Sequence, residues 1–175
     1  MRSPLLAAAL LASAVAAPAL AQTMASGTAA VSDATFVKKA AISDMFEIQA
    51  SQLAQTKATS ADVKNFASKM VTDHTKTSDQ LKSIASAKSG MKPPTTMDAQ
   101  HKALLSKLKA ASGANFDTLY TQQQVQAHQQ AVMLFTSESQ TGKDTDLKNF
   151  ASQSLPTLQQ HLSMAQGLQK GGGTP

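Results

Sequence analysis

The phrase Asp62-Val-Lys-Asn-Phe-Ala-Ser68 returns as Asp146-Leu-Lys-Asn-Phe-Ala-Ser152, 84 residues further along the chain. Each copy opens a new apolar periodicity just after a turn-like stretch, so the chain reads as two related helical hairpins around one core. Helical spacing fills in the rest. A first helix is expected from Ser32-Asp33, which suit an N-cap, to Lys57, with Phe36, Ala40, Ala41, Met45, Ile48 and Leu53 supplying the apolar positions. A second should run from Ala61 to Ala87 through Val63, Phe66, Met70, Leu81 and Ile84, ended by Gly90 and Pro93-Pro94.

A shorter helix from Met97 to Ala111, carrying Leu104, Leu105 and Leu108, belongs to a crossover. A third long helix then spans Asn115 to Gln140, and a fourth starts near Asp144 with Leu147, Phe150, Leu155, Leu158, Leu162 and Leu168. Pro156 falls inside that last pattern and predicts a bend. No segment alternates with period two, so no strand is expected. The fold class is therefore all-α: a ferritin-like four-helix bundle with an additional short crossover helix and two pseudo-repeated hairpins.

The N-terminus has the three parts of a cleavable signal peptide: Arg2, an apolar run from Leu5 to Val15, and Ala19-Leu20-Ala21 before Gln22. Cleavage is expected after Ala21, placing the mature protein in the periplasm or outside the cell. No cysteine offers a lipid acceptor, and no later apolar run is long enough to span a bilayer. Residues 1–21 are thus read as signal peptide, 22–31 as a flexible lead, 32–169 as the bundle and 170–175 as a disordered tail.

Loss of the leader removes Arg2, the sole arginine, and takes the formal charge from +5 to +4. With no Arg, no Trp and one Tyr left, nucleic acid is not an expected partner; peripheral association with the envelope is compatible with the mild positive charge. The absence of cysteine excludes disulfides, thiolate metal sites and cysteine nucleophiles. There is no nucleophile elbow, phosphate loop or dinucleotide fingerprint, and acids are sparse, so a non-enzymatic protein is expected rather than a hydrolase.

The pattern of Glu47 on the first helix, Met70-Val71-Thr72-Asp73-His74 on the second, Val125-Gln126-Ala127-His128-Gln129 on the third and Leu155-Pro156 followed by His161 on the fourth resembles the exported bacterial proteins grouped as domain of unknown function 4142. The resemblance covers nearly all of residues 33–169. It implies an exported helical bundle, without an assigned activity.

The repeat also acts as a ruler. Antiparallel helices pair residues equally distant from their shared turn, so with the first turn centred near Thr59, Asp44 should lie level with His74 and Glu47 with Val71. The 84-residue offset equates Asp44 with His128 and His74 with Leu158, one turn from His161. At about 1.5 Å rise per residue, Glu47, His74, His128 and His161 fall into one layer. Each histidine lies on or beside an apolar stripe, and an inward glutamate needs a partner, a proton or a metal.

Two readings follow: a satisfied buried polar layer in a binding or envelope protein, or a mononuclear site for iron, zinc, manganese or copper, with Asp44 and Asp73 orienting the histidines. Glu138, about 15 Å from His128 by helical rise, is excluded and read as a surface cap or a residue near the last hairpin turn. The dinuclear carboxylate pattern is also excluded, since Val71 and Leu158 stand three before His74 and His161. His101 is read as structural or exposed, Tyr120 as a core aromatic, and Met45, Met70, Met133 and Met164 as core fillers or, less favourably, a Cu(I) site.

Overall fold

The computed structural model describes residues 31–171. The helices are α1 (Asp33–Lys57), α2 (Ala61–Ser86), α3 (Ala99–Ala110), α4 (Gly113–Thr141) and α5 (Thr145–Gly171), with no strand among the described residues. The expected signal peptide, nearly all of the lead and residues 172–175 of the tail lie outside the described residues. Helix α5 continues through Lys170 and Gly171, where the sequence places the start of the tail, and Leu168 packs its last turns on the core.

Helix α1 packs on α2 and α4 on α5; α1 also meets α4, and α2 meets α5, closing a four-helix bundle, with α3 laid across α1 and α4. The repeat sets the hairpins: α1 and α4 end at positions 57 and 141, and α2 and α5 begin at 61 and 145, each pair 84 apart. Ser32 and Ser60 cap α1 and α2 by accepting from the N–H groups of Thr35 and Val63. Helix α3 starts at Ala99 rather than Met97 because Asp98 caps it, its Oδ1 accepting from His101 N–H at 2.9 Å. Met97 is left outside the helix but buried in the core. Helix α4 starts two residues early, at Gly113, whose φ of 57° is a conformation that a side chain would resist. Helix α5 runs through Pro156 unbroken; the ring is exposed, so water can satisfy the carbonyl it strands.

A reciprocal device locks the two hairpins together. Asp117, in the second turn of α4, accepts from the backbone N–H groups of Thr59 at 3.1 Å and Ser60 at 2.8 Å, in the α1–α2 turn. Asp33, in the first turn of α1, accepts from Lys143 N–H and Asp144 N–H, both at 2.9 Å, in the α4–α5 turn. Each carboxylate, carried near the start of its own helix, satisfies backbone N–H groups in the turn of the other hairpin. Positions 33, 59 and 60 become 117, 143 and 144 under the repeat offset. Lys57 adds a further tie by donating to the carbonyls of Leu108 and Lys109 at the end of α3.

Two apolar clusters fill the bundle. One joins Phe46, Phe66, Met70, Leu105, Leu108, Phe116 and Tyr120; the other joins Phe36, Val37, Leu81, Phe135, Leu147, Phe150 and Leu158. Tyr120 is buried as expected, its hydroxyl 2.8 Å from Ser51 Oγ. Replacing either Asp33 or Asp117 by Ala should cost about 1–2 kcal/mol, the range of strong capping losses, measured by urea unfolding. Because the two sites lie at opposite ends of α1, the double variant should lose the sum of the two. Neutral single variants would show that the reciprocal caps do not hold the hairpins.

Candidate metal centre

Between the two apolar clusters every long helix contributes polar side chains to the core. Along α2 the buried order is Met70, His74, Ser78, Leu81; along α4 Val125, His128, Ala131; along α5 Leu158, His161, Ala165; and α1 adds Asp44 and Glu47 on either side of Phe46. His74, His128 and His161 are 3%, 1% and 1% exposed. One ring nitrogen from each lies within 4.8 Å of the other two.

Each ring is held from outside by an oxygen. His74 Nδ1 lies 2.8 Å from Asp44 Oδ1, the α1–α2 pairing expected from the turn. His128 Nδ1 donates to the backbone carbonyl of Gln124 at 2.9 Å, and His161 Nε2 lies 2.8 Å from Asp73 Oδ2. Asp73 is itself bridged at 2.9 Å by Lys69, one turn earlier on α2. Oxygen partners of this kind set both ring orientation and tautomer. The nitrogens left over are Nε2 of His74, Nε2 of His128 and Nδ1 of His161.

These leftover atoms do not satisfy one another as neutral rings. His74 Nε2 and His128 Nε2 are 3.4 Å apart, and with both Nδ1 atoms donating outward, two lone pairs face each other unless a proton or cation lies between them. The charge distribution favours the proton on His74. Burial alone would lower its pKa, but the hydrogen bond and charge of Asp44, with the fields of Glu47 and Asp73, raise it above the ordinary histidine value. His128 is pushed down to about 3 by burial and then by the charge of His74, and His161 down to about 4 by burial first, against the pull of Asp73. His161 Nδ1 remains buried without a partner. Once His74 gives up the proton on its inner nitrogen, the three converging imidazoles make a donor set suited to a transition-metal ion.

Glu47 is equally buried but lies outside the group formed by the three ring nitrogens. Burial raises its pKa to about 7, opposed by His74 and the nearby Gln124 amide. Neither of its oxygens, nor either side-chain polar atom of Gln124, has a well-aligned hydrogen bond, and Asp44 Oδ2 is also unpaired. Gln124 was not singled out from sequence. Its only signal there is its position one turn before His128, where a helix carbonyl can accept from the ring.

Other sequence candidates resolve by position. His101 is structural, joined to Asp98 at 2.7 Å and set edge-on to Phe46. Met70 is buried, and Met45 and Met164 pack beside the same cluster, but Met133 is 58% exposed and is no core filler. Its side of α4 points away from the packed helices.

Glu138 is near the last hairpin turn as expected, yet it is fully buried rather than a surface cap. The backbone folds over it: a Cβ on Gly142 would meet Glu138 Oε1 at 2.5 Å. Burial, then the charges of Asp33 and Asp144, raises its pKa to about 7 from 4.5. Between these values the folded protein binds the proton more strongly than the unfolded chain, so this residue's contribution is fully present below the unfolded value and is lost as pH rises through about 7. Glu138→Gln should remove that loss: its melting temperature relative to the parent should rise by a few degrees between pH 5 and pH 8, followed by circular dichroism. An equal offset at both pH values would contradict the buried, proton-holding carboxyl.

Comparison with known proteins agrees with this architecture. The family model "Domain of unknown function (DUF4142)" matches residues 17–168. No curated protein matches. Among solved structures, "CopM in the Cu(II)-bound form" matches with a TM-score of 0.69 at 17% identity, covering 81% of this chain and 97% of that one. At that identity the likeness is one of fold.

Proposed function

From the premise that the chain belongs to the family of the domain of unknown function DUF4142, we propose that it is an exported helical bundle that binds a single transition-metal ion. The ligands are His74, His128 and His161. Glu47 provides a nearby carboxylate, and Asp44, Asp73 and the Gln124 carbonyl aim the rings. The role is one of holding metal rather than catalysing a reaction. Export follows from the leader, cleaved after Ala21 to give a periplasmic or secreted protein with a mature domain spanning residues 32–169.

The observation that carries this reading is the convergence of three imidazoles whose other nitrogens are each committed to an oxygen. His161 Nδ1, buried and without a partner, is a donor atom that an ion at the centre would satisfy. The spacing also suits a metal: a tetrahedron with bonds of about 2.1 Å has edges of about 3.4 Å, and the two Nε2 atoms of His74 and His128 are 3.4 Å apart. A cation there would replace the shared proton. The lack of a second bridging carboxylate set supports one ion rather than two. Copper(II) is the first ion to test, because it heads the affinity order for nitrogen sites and because CopM, which shares the fold, is described in a Cu(II)-bound form.

The mature protein, purified without metal, should take up about one equivalent of Cu(II) or Zn(II) by calorimetry and release protons as it does so. His128→Ala and His161→Ala should each abolish that uptake, and Asp73→Ala should weaken it about 10–100-fold. His101→Ala should leave it unchanged. Less than a tenth of an equivalent in the parent protein would end the metal reading. N-terminal sequencing of protein recovered from the envelope fraction should begin at Gln22; an intact Met1 would end the export reading.

A further inference from the structure

Helices α2 and α5 touch over a shorter stretch than the helices within either hairpin. Between them runs a cleft of about 570 Å³ whose lining includes Asp73, His74, Thr77, Gln153, Thr157 and His161. Two of the three histidines thus form its inner wall. On the other sides the histidine cluster is enclosed by α1, with Asp44 and Glu47, and by α4, which carries His128.

The repeat explains why this side is open. Asp73 and His161 are joined across α2 and α5 at 2.8 Å. Their equivalents 84 residues away are Thr157 and Thr77, and both line the cleft. Where one half of the pseudo-symmetric pair builds a ring-to-carboxylate bridge, the other half has two small hydroxyl side chains. Thr77 Oγ1 is turned back to the Asp73 carbonyl at 2.9 Å and so does not bridge the helices. The missing bridge leaves room beside the histidines.

We infer that the α2–α5 cleft is a ligand subsite, admitting a small hydrophilic anion or water to an open coordination position on the ion held by His74, His128 and His161. This rests on the metal reading above. Three protein ligands with an exchangeable fourth position are the mark of a site that meets solvent species, in contrast to closed structural sites. The near-complete burial of His74 and His161 limits the inner end to a ligand of a few atoms. The amide and hydroxyl groups of Gln80, Asn149, Gln153 and Thr157 suit a hydrophilic one.

Azide is a suitable probe, since its charge-transfer band reports binding to copper directly. Titration of the full mature protein carrying one equivalent of Cu(II) should give a saturable new band, one azide per ion. Thr157 and Gln153 are exposed, so larger side chains there can be accommodated without disturbing the core. Thr157→Phe, and independently Gln153→Trp, should weaken azide binding about tenfold or more while circular dichroism and Cu(II) stoichiometry stay unchanged. A copper-loaded protein whose spectrum ignores azide, or folded variants of both kinds that bind azide as well as the parent, would overturn the subsite while leaving the metal site intact. Failure to bind any ion would overturn both together, and is seen separately in the copper titration.

Discussion

Burying three imidazoles in an apolar bundle is the constraint around which the rest of the molecule is arranged. Each polar group removed from water needs a partner, and a half-satisfied layer is more costly than an apolar one. The chain meets this demand in two tiers. An outer tier of Asp44, Asp73 and the Gln124 carbonyl holds one nitrogen of each ring. An inner tier leaves the remaining nitrogens facing one another, where His74 and His128 require a proton or a cation between them. The apolar clusters above and below lower the polarity around this layer, which strengthens the interactions within it and sharpens the penalty for leaving it incomplete.

The duplication sets the frame, and its failures make the site. Where the halves agree, they build structure: the hairpin turns coincide under the repeat, and Asp33 and Asp117 cap one another's hairpins in the same way. Where they differ, polar chemistry enters. Asp44 and His128 are equivalent positions with complementary roles, one orienting a ring and the other being one; His74 faces Leu158 in the repeat, and His161 faces Thr77. The centre therefore has no two-fold symmetry. This is the physical reason that a ferritin-like scaffold here departs from the paired Glu-x-x-His arrangement of dinuclear carboxylate bundles.

Much of this was legible from the chain because helical periodicity and antiparallel pairing are local rules. The hairpin boundaries, the cap at Ser32, the Asp44–His74 pair and the shared layer of three histidines all follow from helix signals and from spacing along helices of known rise. Glu47 is buried close to the histidines but outside the group that their three ring nitrogens form, since rise along an axis says nothing of reach across it. Met133 looked like a core residue and faces solvent, because its neighbours in sequence are apolar while its direction on α4 leads away from the other helices. Distance along α4 keeps Glu138 away from the centre, but its burial depends on how the α4–α5 turn closes over it, and no local pattern encodes that.

The sequence by itself determined an all-α chain of two repeated hairpins and put its histidines at one height, because a helix converts residue number into distance along its axis. Only the tertiary structure decided which nitrogen of each ring turns inward, that Glu47 stands outside the triad, and that two aspartates cross the repeat to cap each other's hairpin. Those outcomes depend on rotation about the helix axes and on contacts between segments far apart in the chain. Periodicity leaves both open, and packing settles them.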